Sequence, residues 1–375
     1  ASSPSSEGTR TTEDAQGGSG SAGSTASAPA SGEPDAPSLD DLVAEAQGKF
    51  TQEAYSDPDT GKELAFNVFL PEGYSGSGSY PLVHYIADAS TVSDDPTTPL
   101  SQYGALIWAS SVTQATDPCI VVVPSYTETV LDDHDGYTTT DWLDLTGRFV
   151  TWLQSQYAID PARVYGTGQS MGCMIHLVLA GKQPDLFTAL MFVDGQWDPS
   201  QLSGLGESTF IYHVAGGDDR ALEGQTATKD MLTQASVDFA VANEEWDATA
   251  DPSALLQQTQ ALFGKGKQRN FSSFVAGTVL EANPQSMEHM ASFEPAYKLT
   301  GVRNWLLAQR SAEAMKTIEA LTDAEIAEAH RSAAMWADVE LMTGELDGFV
   351  SFMHALDWLN LDKDGKVLVR LWLDG

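Results

Sequence analysis

The stretch Gly168-Gln169-Ser170-Met171-Gly172 constrains the fold of this chain more than any other. It has the pattern G-x-S-x-G, after a short β-prone run at 163–166 and before an apolar run of helical character at 173–180. Strand, tight turn, serine and helix together expose a serine hydroxyl at the carboxyl end of an α/β sheet. Glycine suits both flanking positions, because the turn is strained and the helix packs close to it. The motif predicts Ser170 as a nucleophile, and a serine that only caps a helix is the alternative.

Apolar runs alternate with segments of helical period through the middle of the chain. Continuous apolar runs, typical of strands buried on both faces, lie at 80–86, 120–123, 186–193 and 210–215. A hairpin is predicted within 49–70, a last strand at 271–279 and an amphipathic helix at 297–309. This alternation predicts an α/β fold with an N-terminal hairpin, a mostly parallel sheet and helices on both faces.

Composition divides the chain into three regions. Residues 1–37 are almost all Ser, Gly, Ala, Thr, Pro and acids. Such a segment cannot bury enough apolar surface to offset its ordering entropy, so we expect a disordered linker. Residues 38–310 are expected to form the α/β domain, with a polar insertion at 242–270, and residues 311–375 an extension of unassigned role.

The chain is strongly acidic, with 53 Asp and Glu against 19 Lys and Arg, and a formal net charge of −34. This charge disfavours nucleic acids and anionic membrane surfaces as partners. No run of eighteen or more apolar residues is present, so no transmembrane span is expected. An acidic, flexible leader on a chain that begins with Ala is typical of exported proteins. We therefore expect an extracellular or cell-surface location, and a lipid anchor ahead of residue 1 fits the same interpretation.

The two cysteines, Cys119 and Cys173, are predicted at opposite ends of their strands. A strand of about six residues spans roughly 20 Å, whereas the Cα atoms of a disulfide lie within about 7 Å. We expect no bridge, and both cysteines as small core residues.

A serine hydroxyl is a weak nucleophile at neutral pH and needs a base, for which histidine is well suited. His289 lies in a predicted loop between a strand and a helix, where functional groups concentrate at the carboxyl ends of parallel strands. A carboxylate must then orient the imidazole. Asp218 and Asp219 both follow the strand at 210–215. We favour Asp218, with Asp219 as the alternate, and either residue could instead cap the following helix.

An oxyanion hole requires two backbone N–H groups. Met171, directly after the nucleophile, is expected to supply one. The loop that follows strand 80–86 is expected to supply the other, from Asp88 or Ala89. A carboxylate beside an oxyanion is unfavourable, so we expect that of Asp88 to point away and to pin the loop by hydrogen bonds.

Four stretches carry a resemblance to a known family: Tyr80-Pro81-Leu82-Val83, the elbow region 159–172, Gln183-Pro184-Asp185-Leu186-Phe187 and Val302-Arg303-Asn304-Trp305-Leu306. With them, residues of about 62–310 resemble the α/β-hydrolase superfamily, most closely bacterial secreted esterases related to polyhydroxybutyrate depolymerases and feruloyl esterases. The resemblance implies Ser170 as nucleophile, Asp218 as acid and His289 as base. Relatives usually carry His-Gly-Ala-Gly or similar in the oxyanion loop, so the different loop here leaves the second donor open.

Aromatic and hydroxyl-bearing residues follow strands at the edge of the sheet where Ser170 is expected. Trp197 and His134, together with Gln169, are predicted to contact substrate, which would suit a ring-bearing or sugar-bearing ester. A solvated acidic loop with core tryptophans is the alternative. The cluster Asp132-Asp133-His134 matches no metal-ligand spacing, and neither a metal nor a cofactor is expected.

The leading hypothesis is a serine hydrolase that cleaves carboxylic esters, small or polymeric, through an acyl-enzyme. A prolyl-oligopeptidase-like serine peptidase is an alternative, because such enzymes share this elbow and triad order. A surface module with a hydrolase fold that binds ligand without turnover is the other alternative.

Overall fold

The computed structural model describes residues 36–311. Most of the predicted linker and nearly all of the predicted C-terminal extension lie outside the described residues. The strands are β1 Thr51–Ser56, β2 Glu63–Phe69, β3 Tyr80–Ile86, β4 Ile120–Ser125, β5 Leu131–Asp132, β6 Thr138–Thr139, β7 Ile159–Gln169, β8 Ala189–Val193, β9 Phe210–Ala215, β10 Ala240–Val241 and β11 Arg269–Phe274. The α-helices are α1 Leu39–Ala46, α2 Tyr103–Leu106, α3 Ser111–Gln114, α4 Asp141–Gln156, α5 Met171–Lys182, α6 Asp219–Gln234, α7 Pro252–Phe263, α8 Thr278–Ala282, α9 Glu288–Lys298 and α10 Thr300–Ala308.

Nine strands form one sheet in the order β1-β2-β4-β3-β7-β8-β9-β11-β10. The hairpin partners β1 and β2 are antiparallel, and β2 is antiparallel to β4. From β4 onward every neighbouring pair is parallel. The predicted fold class, with its N-terminal hairpin and mostly parallel sheet, is confirmed.

The sheet is covered on both faces because its central strands are apolar on both sides. In β4, Ile120 and Val122 belong to one hydrophobic cluster, whereas Val121 and Val123 belong to the other. This alternation follows from the two-residue repeat of a β-strand. The first cluster includes side chains of α4, α5 and α6, and the second includes side chains of α1, α2, α9 and α10.

The predicted strand at 271–279 is wrong at its C-terminal end. β11 stops at Phe274, and the chain turns at Gly277, whose φ of +88° is a conformation that glycine accepts readily, into α8. The predicted helix at 297–309 is also wrong in its bounds. It is two helices, α9 and α10, separated at Leu299, whose ψ of 88° is not helical. The segment predicted as an insertion carries α7 and leads into β11.

Both cysteines are free and buried in the core. None of the helices between residues 36 and 311 has the length and apolar character needed to cross a bilayer.

Candidate active site

Ser170 occupies the sharp turn between β7 and α5. Its φ of 50° and ψ of −114° lie outside the regions that non-glycine residues favour. A Cβ on Gly172 would lie 2.0 Å from the carbonyl oxygen of Ile86, and a Cβ on Gly168 would lie 2.6 Å from the backbone of Gly172. The motif therefore needs glycine at both positions because β3, β7 and α5 touch there, and the close contact holds the serine in its strained conformation.

His289 joins the serine to a carboxylate. Its Nε2 lies 2.9 Å from Oγ of Ser170, and its Nδ1 lies 2.6 Å from Oδ2 of Asp218. The carboxylate assigns the ring proton to Nδ1, which leaves Nε2 free to accept the proton of the serine hydroxyl. Three residues predicted from widely separated parts of the chain thus meet at the carboxyl edge of the sheet.

Asp218 also caps a helix, the alternative role predicted for it from the sequence. It is the N-cap of α6, and its Oδ1 accepts a hydrogen bond from the N–H of Ala221 over 3.3 Å. Asp219, the alternate acid, is the first residue of α6. The backbone directs the side chain of Asp218 towards His289, so the residue caps α6 with one oxygen and contacts the imidazole with the other.

The prediction that His289 lies in a loop is wrong, because it is the second residue of α9. Glu288 begins this helix, and its carboxylate accepts hydrogen bonds from the N–H groups of Gly277 over 2.6 Å and Gly217 over 2.9 Å. The ring of His289 also packs edge-on against Phe293, with 5.0 Å between ring centroids. A helix start and two loops, rather than a free loop, position the imidazole.

Asp194 is a site residue that the sequence analysis missed. It follows β8, is fully buried, and places Oδ2 3.1 Å from Nδ1 of His289. The same oxygen accepts a hydrogen bond from the hydroxyl of Ser292 over 2.9 Å, and Oδ1 accepts one from the N–H of Ala215 over 2.7 Å. The available signal was an acidic residue directly after a buried strand, next to the strand that carries the serine.

Burial and the two neighbouring carboxylates shift the pKa of His289 in opposite directions. Burial disfavours the imidazolium, but the hydrogen bonds and negative charges of Asp194 and Asp218 outweigh it and raise the pKa of His289 above its ordinary 6.5. Burial would also raise the pKa of Asp218, but the hydrogen bond from His289 keeps it below 3.8. For Asp194 burial dominates, and its pKa is raised to about 6.

Asp88 lies in the loop predicted to complete the oxyanion hole, and its carboxylate is turned towards amides. Oδ1 accepts the N–H of Ser90 over 2.8 Å, and Oδ2 accepts Nε2 of Gln169 over 2.8 Å and Nε2 of Gln102 over 2.5 Å. It pins the loop in the way predicted. Met171 is the first residue of α5, where an N–H has no partner within the helix. The donors Met171, Asp88 and Ala89 remain predictions.

The chain matches the model of the Esterase family, described as "Putative esterase", over residues 58–286. The chain belongs to this family. A comparison with curated proteins finds no match. This match confirms the predicted resemblance to esterases of the α/β-hydrolase superfamily.

Several solved structures are similar to this Esterase-family chain. A thermostable esterase is 20% identical with a TM-score of 0.57; the match covers 71% of this chain and 64% of that one. A feruloyl esterase module from Clostridium thermocellum complexed with sinapinate is 13% identical with a TM-score of 0.44, over 72% of this chain and 95% of that one. An S-formylglutathione hydrolase from Staphylococcus aureus is 12% identical with a TM-score of 0.44, over 69% and 98%. The chain thus spans less than two thirds of the thermostable esterase, and at 20% identity that likeness shows the fold alone.

Two of the predicted substrate contacts are used within the protein. Gln169 is buried, and its Oε1 accepts the hydroxyl of Tyr85 over 2.9 Å. Trp197 is 1% exposed and donates from Nε1 to Gln201 over 3.2 Å. Both side chains are thus nearly buried and hydrogen-bonded within the protein, and a substrate contact by either remains a prediction. The ring of Tyr137 packs edge-on against Trp197, 5.0 Å between centroids, and remains 43% exposed.

His134 is exposed and lies 2.7 Å from Oδ1 of Asp132. The neighbouring Asp133 pairs with Arg220 over 2.8 Å and accepts a hydrogen bond from Gln196. These bonds tie the acidic loop to α6 and to the segment after β8. A substrate contact by His134 remains a prediction.

Proposed function

We propose that this chain hydrolyses carboxylic esters through the triad Ser170, His289 and Asp218 and an acyl-enzyme intermediate. The observation that supports this most is the continuous line of hydrogen-bonding atoms from Oγ of Ser170 to Nε2 of His289, 2.9 Å, and from Nδ1 to Asp218, 2.6 Å. Both distances lie within the range required for proton transfer and for orienting the base.

In the first half of the reaction, Oγ of Ser170 attacks the ester carbonyl carbon while its proton passes to Nε2 of His289. The carbonyl oxygen becomes an oxyanion, which the N–H of Met171 and an N–H of the Asp88–Ala89 segment stabilise. His289 then gives its proton to the leaving alkoxy oxygen, and the carbon–oxygen bond breaks. The alcohol leaves and the acyl group remains on Ser170.

In the second half, water attacks the acyl-enzyme and gives a proton to His289. The tetrahedral intermediate collapses, His289 protonates Oγ, and the carboxylic acid leaves. Asp218 stabilises the imidazolium that forms in both halves and holds the Nδ1–H tautomer. The serine proton leaves with the alcohol and a proton from water replaces it, so the cycle restores the enzyme and needs water and no other reactant.

Turnover of nitrophenyl esters by Ser170→Ala and His289→Ala tests this proposal. Each variant is expected to lose roughly a million-fold in kcat. Ser155→Ala, which changes an exposed serine on α4, is the matched control and should retain wild-type turnover. A loss below about tenfold in Ser170→Ala or His289→Ala would contradict the assigned role.

Two further measurements separate the alternatives. Fluorophosphonate labelling of wild-type protein, abolished in Ser170→Ala, is expected of a catalytic serine, and no labelling of the wild type would indicate a binding module. Faster cleavage of aminoacyl amides than of nitrophenyl esters would indicate a peptidase.

A further inference from the structure

Two carboxylates, not one, contact Nδ1 of His289. Oδ2 of Asp218 lies 2.6 Å away and Oδ2 of Asp194 lies 3.1 Å away. They come from different places in the chain, since Asp194 follows β8 and Asp218 follows β9. A serine triad requires a single carboxylate at this atom, so the second one calls for an explanation.

The side chain of Asp194 is held in place through both of its oxygens. Oδ1 accepts the N–H of Ala215 and Oδ2 accepts the hydroxyl of Ser292, over 2.7 and 2.9 Å. Burying a carboxylate is costly unless it is paired and hydrogen-bonded. Here the hydrogen bonds and the imidazole offset the free energy of desolvating the carboxylate, and they hold Oδ2 directed at His289.

The backbone of Asp194, like that of Ser170, has a positive φ. Asp194 has a φ of 49° and Ser170 one of 50°, and within residues 36–311 the remaining non-glycine residue with positive φ is Ser236. Such conformations cost about 1–3 kcal/mol and persist where the surrounding structure enforces them, often at functional sites.

We propose that Asp194 is a second, partly redundant acid for His289, a positioning residue placed so that either carboxylate alone keeps Nδ1–H oriented and Nε2 directed at Ser170. The inference rests on the proposed function. Asp218 is the outer acid and Asp194 the inner one, with side chains 13% and 0% exposed.

Among the described residues, few titratable groups interact with Asp194. The titratable side chains that interact with Asp194 are Asp218, His289, the thiol of Cys173 and the phenol of Tyr212. Burial raises the pKa of both Cys173 and Tyr212 well above their ordinary values, so both stay neutral. Replacing Asp194 by a neutral residue therefore removes a negative charge from beside the imidazolium and makes His289 easier to deprotonate.

Asparagine is the appropriate replacement at both positions. It tolerates positive φ, as position 194 requires, and it caps helices, as position 218 requires. Asp194→Asn and Asp218→Asn are each expected to lower kcat/KM for a nitrophenyl ester by less than about 100-fold. The double variant is expected to lose on the order of 10⁴-fold, the cost of removing the acid of a triad that has only one.

The pH profile separates an acid from a merely structural residue. In Asp194→Asn the acid limb of kcat/KM should move to lower pH, whereas Asp135→Asn, which removes an exposed charge from the nearby acidic loop, should leave it in place. The proposal is overturned if Asp218→Asn alone is as slow as the double variant, or if the limb of Asp194→Asn does not move. If Asp194→Asn fails to fold, the kcat/KM of Asp218→Asn still tests the proposal, because a loss on the order of 10⁴-fold in that variant would contradict a second acid.

A titration that requires no turnover keeps this inference distinct from the proposed function. The His289 imidazole is followed by NMR in a Ser170→Ala background, with and without Asp194→Asn. A lower pKa with the asparagine supports Asp194 as an acid partner even if no ester is cleaved. An unchanged pKa refutes it even if the wild type is an active esterase.

Discussion

Gln169 donates a hydrogen bond from Nε2 to Oδ2 of Asp88 over 2.8 Å, and so links the residue before Ser170 to the loop after β3. Gln102 donates to the same oxygen over 2.5 Å, and Tyr85 holds Oε1 of Gln169 over 2.9 Å. All of these groups except Gln102 are buried. The turn at Ser170 and the loop predicted to complete the oxyanion hole are therefore one hydrogen-bonded unit.

Removing the acceptor at the centre of this unit should impair catalysis. Asp88→Ala leaves the two amides and the N–H of Ser90 without their partner, so the loop loses its alignment with Met171. We expect kcat to fall by about 100-fold, the scale of losing one oxyanion donor, with KM little changed. Asp95→Ala, an exposed aspartate that caps the next turn of the same loop, is the control. Equal activity of the two variants would show that the network does not support catalysis.

Glu288 offers a second test, because it joins the loops before α6 and α8 through Gly217 and Gly277. Glu288→Ala frees both loops and the start of α9, which shifts His289 relative to Ser170. A misplacement of about 1 Å can cost about 100-fold in rate, and we expect a loss of about 10- to 100-fold in kcat.

The control for Glu288 is Glu281→Ala, which changes an exposed glutamate on α8. Stopped-flow or steady-state assays with a nitrophenyl ester measure both variants. Full activity of Glu288→Ala would mean that packing against Phe293 suffices to hold the imidazole.

Gly172→Ala tests the close approach of β3 to α5. Its Cβ would lie 2.0 Å from the carbonyl oxygen of Ile86, a backbone atom that cannot move alone. We expect a loss of at least about 1–3 kcal/mol in the free energy of unfolding, as for overpacking, and a loss of activity. Gly48→Ala has no atom within 4 Å of its Cβ and should stay within about 0.5 kcal/mol of the wild type. Urea unfolding compares the two variants.

The pH dependence of the wild type follows from the carboxylates on His289. The base must be neutral to accept the serine proton, and Asp194 and Asp218 raise its pKa above 6.5. Activity should therefore rise with pH, with the midpoint of the acid limb of kcat/KM above pH 6.5. The raised pKa also affects folding. The ion pair of His289 with Asp194 and Asp218 stabilises the fold fully below pH 6.5, and this stabilisation is lost as pH rises through the pKa of His289 in the folded state. A midpoint at or below 6.5 would mean that the charge of one carboxylate is neutralised in the free enzyme.

Short-range patterns determined the fold class and two members of the site. The spacing of glycine around Ser170 forms a short motif that can be recognised without a structure, although the atom that Gly172 approaches, the carbonyl oxygen of Ile86, belongs to β3. The apolar runs that became β3, β4, β8 and β9 reflect burial on both faces, which is a property of each strand itself. His289 could be chosen because it alone followed the last predicted strand and preceded a helix.

Tertiary structure decided what depends on direction and on contacts between distant residues. Asp218 and Asp219 are neighbours in sequence with the same side chain, and only the backbone at the start of α6 turns the first towards His289. In the sequence, Asp194 is distinguished only by its position after a strand. In the folded chain, Ala215, Ser292 and His289 contact its two carboxylate oxygens. The hydrogen bonds that Gln169 makes with Asp88 and Tyr85 are likewise seen only in the tertiary structure. Such contacts join residues tens of positions apart, and no local pattern in the sequence records them.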